Sequence, residues 1–320
     1  MSSEDIKNIK GNIINIQHYS YQDGPGVRTT VFLKGCPLRC KWCSNPESIS
    51  PKCEVAYDPK DCIGVKQCGQ CLKKPFPEGA FTIDEKTGKA AIDWKKKKEI
   101  DPSIVSLCPG KAIFTYGKEV TVTEVMEEVD QDAAFYSSNN GGITVSGGEP
   151  LLQPEFVEAL LKTAHTHGYS TAIETALNVP WKNIEKAVKH VDILIHDIKT
   201  TDPEQHRKWT GVSNERILEN VIRIYENFPD KKVIVRTPVI PGVNDRIEVI
   251  DKIIDFIIPY KNVIKYELLP YHRFGLGKYG VLGKKYSLSK TDNISDELIN
   301  ELRDHVSKRF EAERPKNAKR

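Results

Sequence analysis

The sequence predicts an α/β protein, an incomplete (β/α)6 TIM-like barrel spanning residues 1-47 and 118-320 and interrupted by a small inserted domain over 48-117. Three observations carry this. From Gly142 onward, short β-branched runs alternate with longer segments of helical period, the rhythm of repeated parallel βα units. The strands number six, too few for the eight of a closed barrel, so the sheet is expected to stay partly open. The stretch from about Ser48 to Lys118 breaks the rhythm: it is rich in Lys, Pro and Gly and holds five of the eight cysteines.

Taken in order, RTTVFLKG supplies the first strand, ahead of the insert. GITVSG, YSTAIET, VDILIHDIK, KVIVRTPVI and IKYELLPYH follow it. Between them lie PEFVEALLKTAHTHG, WKNIEKAVKH, NERILENVIRIYENF and RIEVIDKIIDFIIPYK, with apolar residues at three- and four-residue steps and several ends marked by Gly or Lys. The Lys95 to Lys98 run is expected to be a solvated face and the basic tail ERPKNAKR to be disordered. Beyond the βα rhythm there is no internal repeat.

With 320 residues, 39% hydrophobic and 28% charged, and a mean hydropathy of -0.45, the chain can bury a substantial core, which excludes a disordered chain and a polytopic membrane protein. A net charge of +3, from 47 basic against 44 acidic residues, gives no reason to expect a nucleic-acid partner. The amino terminus MSSEDIKNIK has no export signal, and the apolar run IIDFII is far short of a bilayer span. A cytoplasmic protein without membrane attachment is therefore expected. The cysteines crowd between positions 36 and 108, which in such a chain reads as metal or cluster ligation rather than a disulfide framework.

The sharpest motif is Cys36-x3-Cys40-x2-Cys43, directly after the first expected strand. Closely spaced thiolates suit an iron-sulfur cluster or zinc, and three ligands on one loop leave a metal corner open for something other than protein. Several expected strands also end in polar or ionisable residues: Glu149, then Glu174 with Thr175, Asp197 with Lys199, Arg236 and His272. In a barrel of this kind the carboxyl ends of the strands build the site.

The cysteine spacing, preceded by Asp23-Gly24-Pro25-Gly26-Val27-Arg28 and followed by Ser146-Gly147-Gly148-Glu149-Pro150, resembles the glycyl radical enzyme activating enzymes of the radical S-adenosylmethionine (SAM) superfamily. The resemblance runs from about Gly11 to Gly283. It implies a 4Fe-4S cluster on Cys36, Cys40 and Cys43, whose open iron is chelated by SAM. Reductive cleavage of SAM then gives methionine and a 5'-deoxyadenosyl radical, which abstracts hydrogen from a glycine Cα of a partner enzyme. Gly147 and Gly148 would allow close approach of the SAM methionine part, and Trp42 would lie near the adenine. Glu174 would lie at the SAM and cation site, and Glu149, Thr175 and Asp197 would bind SAM. Lys199 and Arg236 would reach carboxylate oxygens, His272 would lie by the ribose or adenine, and Asp23 would orient the partner's glycine loop.

The insert resembles a bacterial two-cluster ferredoxin reduced to one cluster. Such proteins repeat C-x2-C-x2-C-x3-C-P, the fourth cysteine of each run ligating the other cluster. Cys62, Cys68 and Cys71 form an expanded first run, and Cys108-Pro109 is the surviving end of the second. Crossed ligation implies an auxiliary 4Fe-4S cluster on Cys62, Cys68, Cys71 and Cys108, with Cys53 as a competitor for the fourth corner. A zinc module with four cysteine ligands is the alternative.

The resemblance further implies a flavodoxin or ferredoxin-type electron donor, a monomer, and an anaerobic bacterial cytoplasm. The one-cluster insert tilts the partner toward a carbon-sulfur lyase such as isethionate sulfite-lyase. Two other functions compete: a radical SAM enzyme acting on a small molecule, and a two-cluster electron carrier. The electron carrier leaves the GGEP loop and the strand-end residues without purpose.

Overall fold

The structure, a computed structural model, describes residues 6–313. Of the tail ERPKNAKR, Glu313 closes the last helix and residues 314–320 lie outside the described region. The chain begins with β1 (Lys10–Ser20) and β2 (Arg28–Leu33). The insert contributes β3 (Glu54–Tyr57), β4 (Phe81–Ile83), β5 (Ala90–Ile92) and β6 (Ile113–Tyr116). Next come β7 (Lys118–Thr121), α1 (Val122–Asp130), α2 (Ala133–Asn139), β8 (Gly142–Gly147), α3 (Pro154–Thr166), β9 (Ser170–Thr175) and α4 (Trp181–Val188). The chain continues with β10 (Ile193–Asp197), α5 (Pro203–Thr210), α6 (Glu215–Asn227), β11 (Lys232–Val239), α7 (Ile247–Ile257), β12 (Val263–Pro270), α8 (Leu276–Val281) and α9 (Asp296–Glu313).

One eight-stranded sheet runs β12-β11-β10-β9-β8-β2-β1-β7, and its outer strands β12 and β7 do not pair with each other. The six strands expected from the βα rhythm lie side by side and parallel. The sequence reading missed β1 and β7, which extend the sheet antiparallel beyond β2. They have no crossover helix, so the rhythm used to find the others could not reveal them.

Alternation along the strands sorts the chemistry. Val145, Ile173, Leu194, Val233 and Val235 face outward and join Val157, Leu160, Ile184, Ile224 and Ile253 of the helices in the main core. Each such side chain contributes roughly 1.5–3 kcal/mol by leaving water. Ala172, Ile193, Ile195 and Ile234 form a smaller cluster on the opposite face. Two residues further along each strand, that inner face turns polar.

The insert pairs β3 with β6 and β4 with β5, around its own core of Val55, Tyr57, Phe76, Phe81, Ile100 and Ile113. Its lysine run is not the free face expected. Lys96 Nζ donates to Glu78 O (2.8 Å), and Lys97 Nζ reaches Glu54 Oε1 (3.5 Å) and Leu282 O (3.4 Å), tying the insert to the end of α8. Among the described residues, no helix is long and apolar enough to cross a membrane.

Candidate functional site

The polar layer of the inner face consists of Ser146, Glu174, Asp197, Arg236 and Glu267. Glu174 Oε2 accepts from Ser146 Oγ (2.6 Å), and Glu174 Oε1 accepts from Arg236. Arg236 Nε donates to Glu267 Oε2 (2.8 Å), and its Nη2 donates to Gln22 O (2.6 Å). Arg236 was expected at a strand end. It instead lies within β11, in register with Asp197 and Glu267, because the inner layer of a tilted sheet meets each strand at a different height. Burial raises the Glu174 carboxyl, against the lowering pull of Arg236. Glu267, also bound by Lys265 Nζ at 2.5 Å, is held below its ordinary range despite its burial.

The Cys36–Cys43 loop leaves the carboxyl end of β2 and is clamped from both sides. Arg39 N donates to Thr210 O (2.7 Å) and Lys41 N to Trp209 O (3.0 Å) at the end of α5. From α8, Tyr279 OH donates to Cys43 O (3.0 Å), and Lys278 Nζ donates to Asn45 Oδ1 (2.9 Å) and Glu47 Oε1 (2.5 Å). Burial pushes the Cys36 thiol up to about 11 and the Cys40 thiol up to about 12, and the thiols act on one another. Lys199 is buried beside them, with Nζ donating to Asp197 Oδ2 (2.7 Å). Burial disfavours its charge, yet Asp197 and the Cys40 and Cys36 sulfurs outweigh that and raise its pKa. Three thiols around one cation suit a thiolate-bound cluster.

The GGEP loop packs closely against this loop. A Cβ at Gly147 (φ +118°) would stand 2.3 Å from the Leu33 backbone, and one at Gly148 would stand 2.2 Å from Gly35 O. These glycines let β8 close against β2 and the cysteine loop, where Glu149 N donates to Gly35 O (2.7 Å). Glu149 is fully buried. Its Oε1 accepts from Thr175 Oγ1 (2.6 Å) and Leu151 N (3.2 Å), and its Oε2 from Ala176 N (2.9 Å). Glu149 and Thr175 thus staple two strand ends together.

Asp23 is more than a turn residue. The turn folds against the inner face, with Asp23 Oδ2 accepting from Ser20 Oγ and Thr30 Oγ1 (both 2.7 Å) and Asp23 O accepting from Thr144 Oγ1 (2.7 Å). Arg28 fixes this turn, donating to Pro25 O, Thr144 Oγ1, Ile143 O and Ser170 O. Between Tyr21–Val27 and edge strand β12, an open cleft reaches the inner layer, with Arg236, Glu267, His272 and Phe274 on its walls. The His272 ring stacks on Phe274, centroids 4.3 Å apart, and Phe274 itself is 82% exposed. Trp42 is buried with Ile240, Tyr271, Tyr279 and Tyr286, and its ring lies 6.5 Å from that of Trp209. Sequence reasoning missed Glu267 and the α8 clamp, neither of which sits in a recognisable motif, and quoted Ser146 within its motif without giving it a role.

In the insert, Cys62, Cys68, Cys71 and Cys108 line one cavity. Burial pushes the Cys71 thiol up to about 11, reinforced by Cys62, Cys108 and Cys68, whereas Cys62 is lowered because the Ala90 and Gly64 amides and the Tyr57 hydroxyl outweigh its burial. Cys53 lies apart, its Sγ 3.0 Å from Gly117 O. Among the described residues, no three His, Cys, Asp or Glu side chains converge closely enough to hold a single ion.

Residues 30–257 match the family model described as Radical SAM superfamily. The chain is 45% identical to an isethionate sulfite-lyase activating enzyme of Oleidesulfovibrio alaskensis, over 93% of this chain and 95% of that protein. It is also 45% identical to a (2S)-3-sulfopropanediol sulfolyase activating enzyme of Bilophila wadsworthia, over 87% of this chain and 90% of that one. With an indoleacetate decarboxylase activating enzyme of Tractidigestivibacter scatoligenes it shares 40% identity, covering 96% and 97%.

Proposed function

Because the chain belongs to the radical SAM superfamily, and within it to the activating enzymes of glycyl radical enzymes, we propose that the clamped Cys36–Cys43 loop and the inner polar layer together form its SAM site. Its activity is the abstraction of a glycine Cα hydrogen on a partner protein. Cys36, Cys40 and Cys43 hold the 4Fe-4S cluster, which when bound supplies the electron that cleaves SAM. Lys199 neutralises charge beside the thiolates, and Glu174, positioned by Ser146 and Arg236, faces the cosubstrate. Asp197 belongs to the same layer, with Trp42 and His272 at its margins. The barrel is read as incomplete, open at the β12 edge, and that opening admits the partner's glycine loop, which Asp23 orients.

Residues 48–117 are read as a ferredoxin-like domain with an auxiliary 4Fe-4S cluster on Cys62, Cys68, Cys71 and Cys108. Four thiols lining a cavity, rather than meeting at a point, favour a multi-atom cluster over zinc. The partner is read as a carbon-sulfur lyase, a reading supported by similarity to the isethionate sulfite-lyase and (2S)-3-sulfopropanediol sulfolyase activating enzymes. The enzyme is taken to act as a monomer in the cytoplasm of an anaerobe.

The observation that carries this reading is the convergence of the cysteine loop, Lys199, Glu174 and the Asp23 turn on one face of one sheet. Its test is electron spin resonance of the partner lyase incubated with this protein, SAM and reductant. A glycine-centred doublet is expected. Asp23→Ala should diminish the doublet more than it weakens SAM binding; equal losses would remove Asp23 from the glycine loop.

A further inference from the structure

Strand β12 is an outer strand of the eight-stranded sheet, and it forms one wall of the cleft that opens opposite the Tyr21–Val27 turn. That cleft holds about 1540 Å³, above the roughly 300–1,000 Å³ of small-molecule sites, and so has room for a polypeptide segment. Residues 264–270 line it without interruption, and Tyr21 and Phe274, 74% and 82% exposed, stand on its walls.

Two hydrogen bonds fix which way the backbone of β12 points. Tyr271 N donates to Val239 O of β11 (3.2 Å), so from Lys265 on, past the slip in the ladder, the odd-numbered residues turn their N–H and C=O toward β11. Leu268 O points the other way and accepts from Arg303 of α9, at 3.1 Å from Nη2 and 3.4 Å from Nε. In a parallel strand both groups of one residue point to the same side, so the N–H and C=O of Tyr266 and the N–H of Leu268 face outward without a ladder partner. Both residues are buried, yet both line the cleft. Unpaired backbone groups with little access to water favour an occupant that can hydrogen-bond to them. Further along the edge is closed, because Arg303 takes the Leu268 carbonyl and Pro270 has no N–H to give. A free edge this short admits one short extended segment and discourages association sheet to sheet.

We infer that the segment flanking the partner's glycine binds as an added strand on β12, its main chain exchanging hydrogen bonds with Tyr266 and Leu268. The inference rests on the proposed function and adds how the segment is held. A glycine offers no side chain to grip, so its Cα is positioned through the backbone on either side of it. Successive side chains of such a strand point to opposite faces, one set toward Arg236 and Glu267 and the other toward Val306 and Phe310 of α9, all of which line the cleft.

The test is hydrogen exchange read at single amides of the cluster-loaded full chain with SAM and no reductant, alone and with the intact partner lyase. The Tyr266 and Leu268 amides should exchange about tenfold more slowly in the complex, while those of Lys265 and Glu267, already turned toward β11, keep their rates. A synthetic peptide spanning the partner's glycine gives a second measurement. N-methylation at alternate residues should weaken its binding about tenfold, and at the residues between them by less than about twofold. Activation of the lyase with the Tyr266 and Leu268 amides exchanging at their free rates would overturn the added strand and leave the proposed function standing. Equal losses at every N-methylated position would overturn it in the same way. A lyase that never acquires a glycine-centred radical with this protein, SAM and reductant would sink the proposed function, and the added strand with it.

Discussion

Replacing Glu149 with Ala tests whether this carboxylate builds the site or touches SAM. Glu149 is fully buried, and its two oxygens accept from Thr175 Oγ1, Leu151 N and Ala176 N at 2.6, 3.2 and 2.9 Å. Alanine strands three buried donors at about 1–3 kcal/mol each, and relief of a buried charge offsets part of that sum. A net loss of about 3–5 kcal/mol follows, which for a chain of this size lowers the melting temperature by roughly 10 °C. Glu149→Gln keeps an oxygen for Thr175 but turns an NH2 toward the Ala176 amide, so its loss should be intermediate. Calorimetry on the anaerobic, cluster-loaded protein measures this, alongside SAM titration at a temperature where both variants are folded. If Glu149→Ala melts within two degrees of the parent yet binds SAM ten times more weakly, the staple argument is wrong and the carboxylate faces the ligand.

Two other outcomes are expected. Cys108→Ala should lose about four of about eight iron atoms while Cys53→Ala keeps them all, because only Cys108 lines the cavity with Cys62, Cys68 and Cys71; the reverse result would make Cys53 the fourth ligand. His196 is buried against Tyr225 OH (2.7 Å), and burial lowers its pKa to about 4 from the ordinary 6.5. The unfolded chain therefore takes up this proton first as pH falls, so the His196 contribution is intact above pH 6.5 and is lost progressively down to about pH 4. Urea midpoints across that window should fall less steeply in His196→Leu, and parallel slopes would show that His196 does not titrate with unfolding.

The parallel half of the fold was readable because each of its strands is bounded by a helix of clear period and by a turn. Strands β1 and β7 escaped because hairpin-like pairing leaves no such bracket: KGNIINIQHYS alternates only loosely, and eight of its eleven residues are partly or fully exposed at the antiparallel end of the sheet. Residues 48–117 stand out from the βα rhythm by composition and cysteines alone, but the contact of Lys97 with Glu54 does not. A run of four lysines reads as solvent-facing until a carboxylate far away in the chain is brought to meet it.

The site follows the same division. Period-two alternation places Glu174 two residues beyond Ala172, Asp197 beyond Ile195 and Arg236 beyond Ile234, so a polar layer above an apolar one was implicit in strand patterns. What alternation cannot supply is which partner each charge chooses. Glu267 reaches Arg236 because β12 slips by one residue after Val263, where Val233 pairs with Val263 but Ile234 with Lys265. Without that bulge the side chain facing Arg236 would be Tyr266, and a guanidinium shared between two carboxylates and the Gln22 carbonyl would lose one of its anchors. Arg236 thereby joins Glu174, the edge strand of the open cleft and the turn that carries Asp23. Under the proposed function, cosubstrate and glycine loop would then meet one rigid network, as hydrogen transfer between near-contact atoms requires.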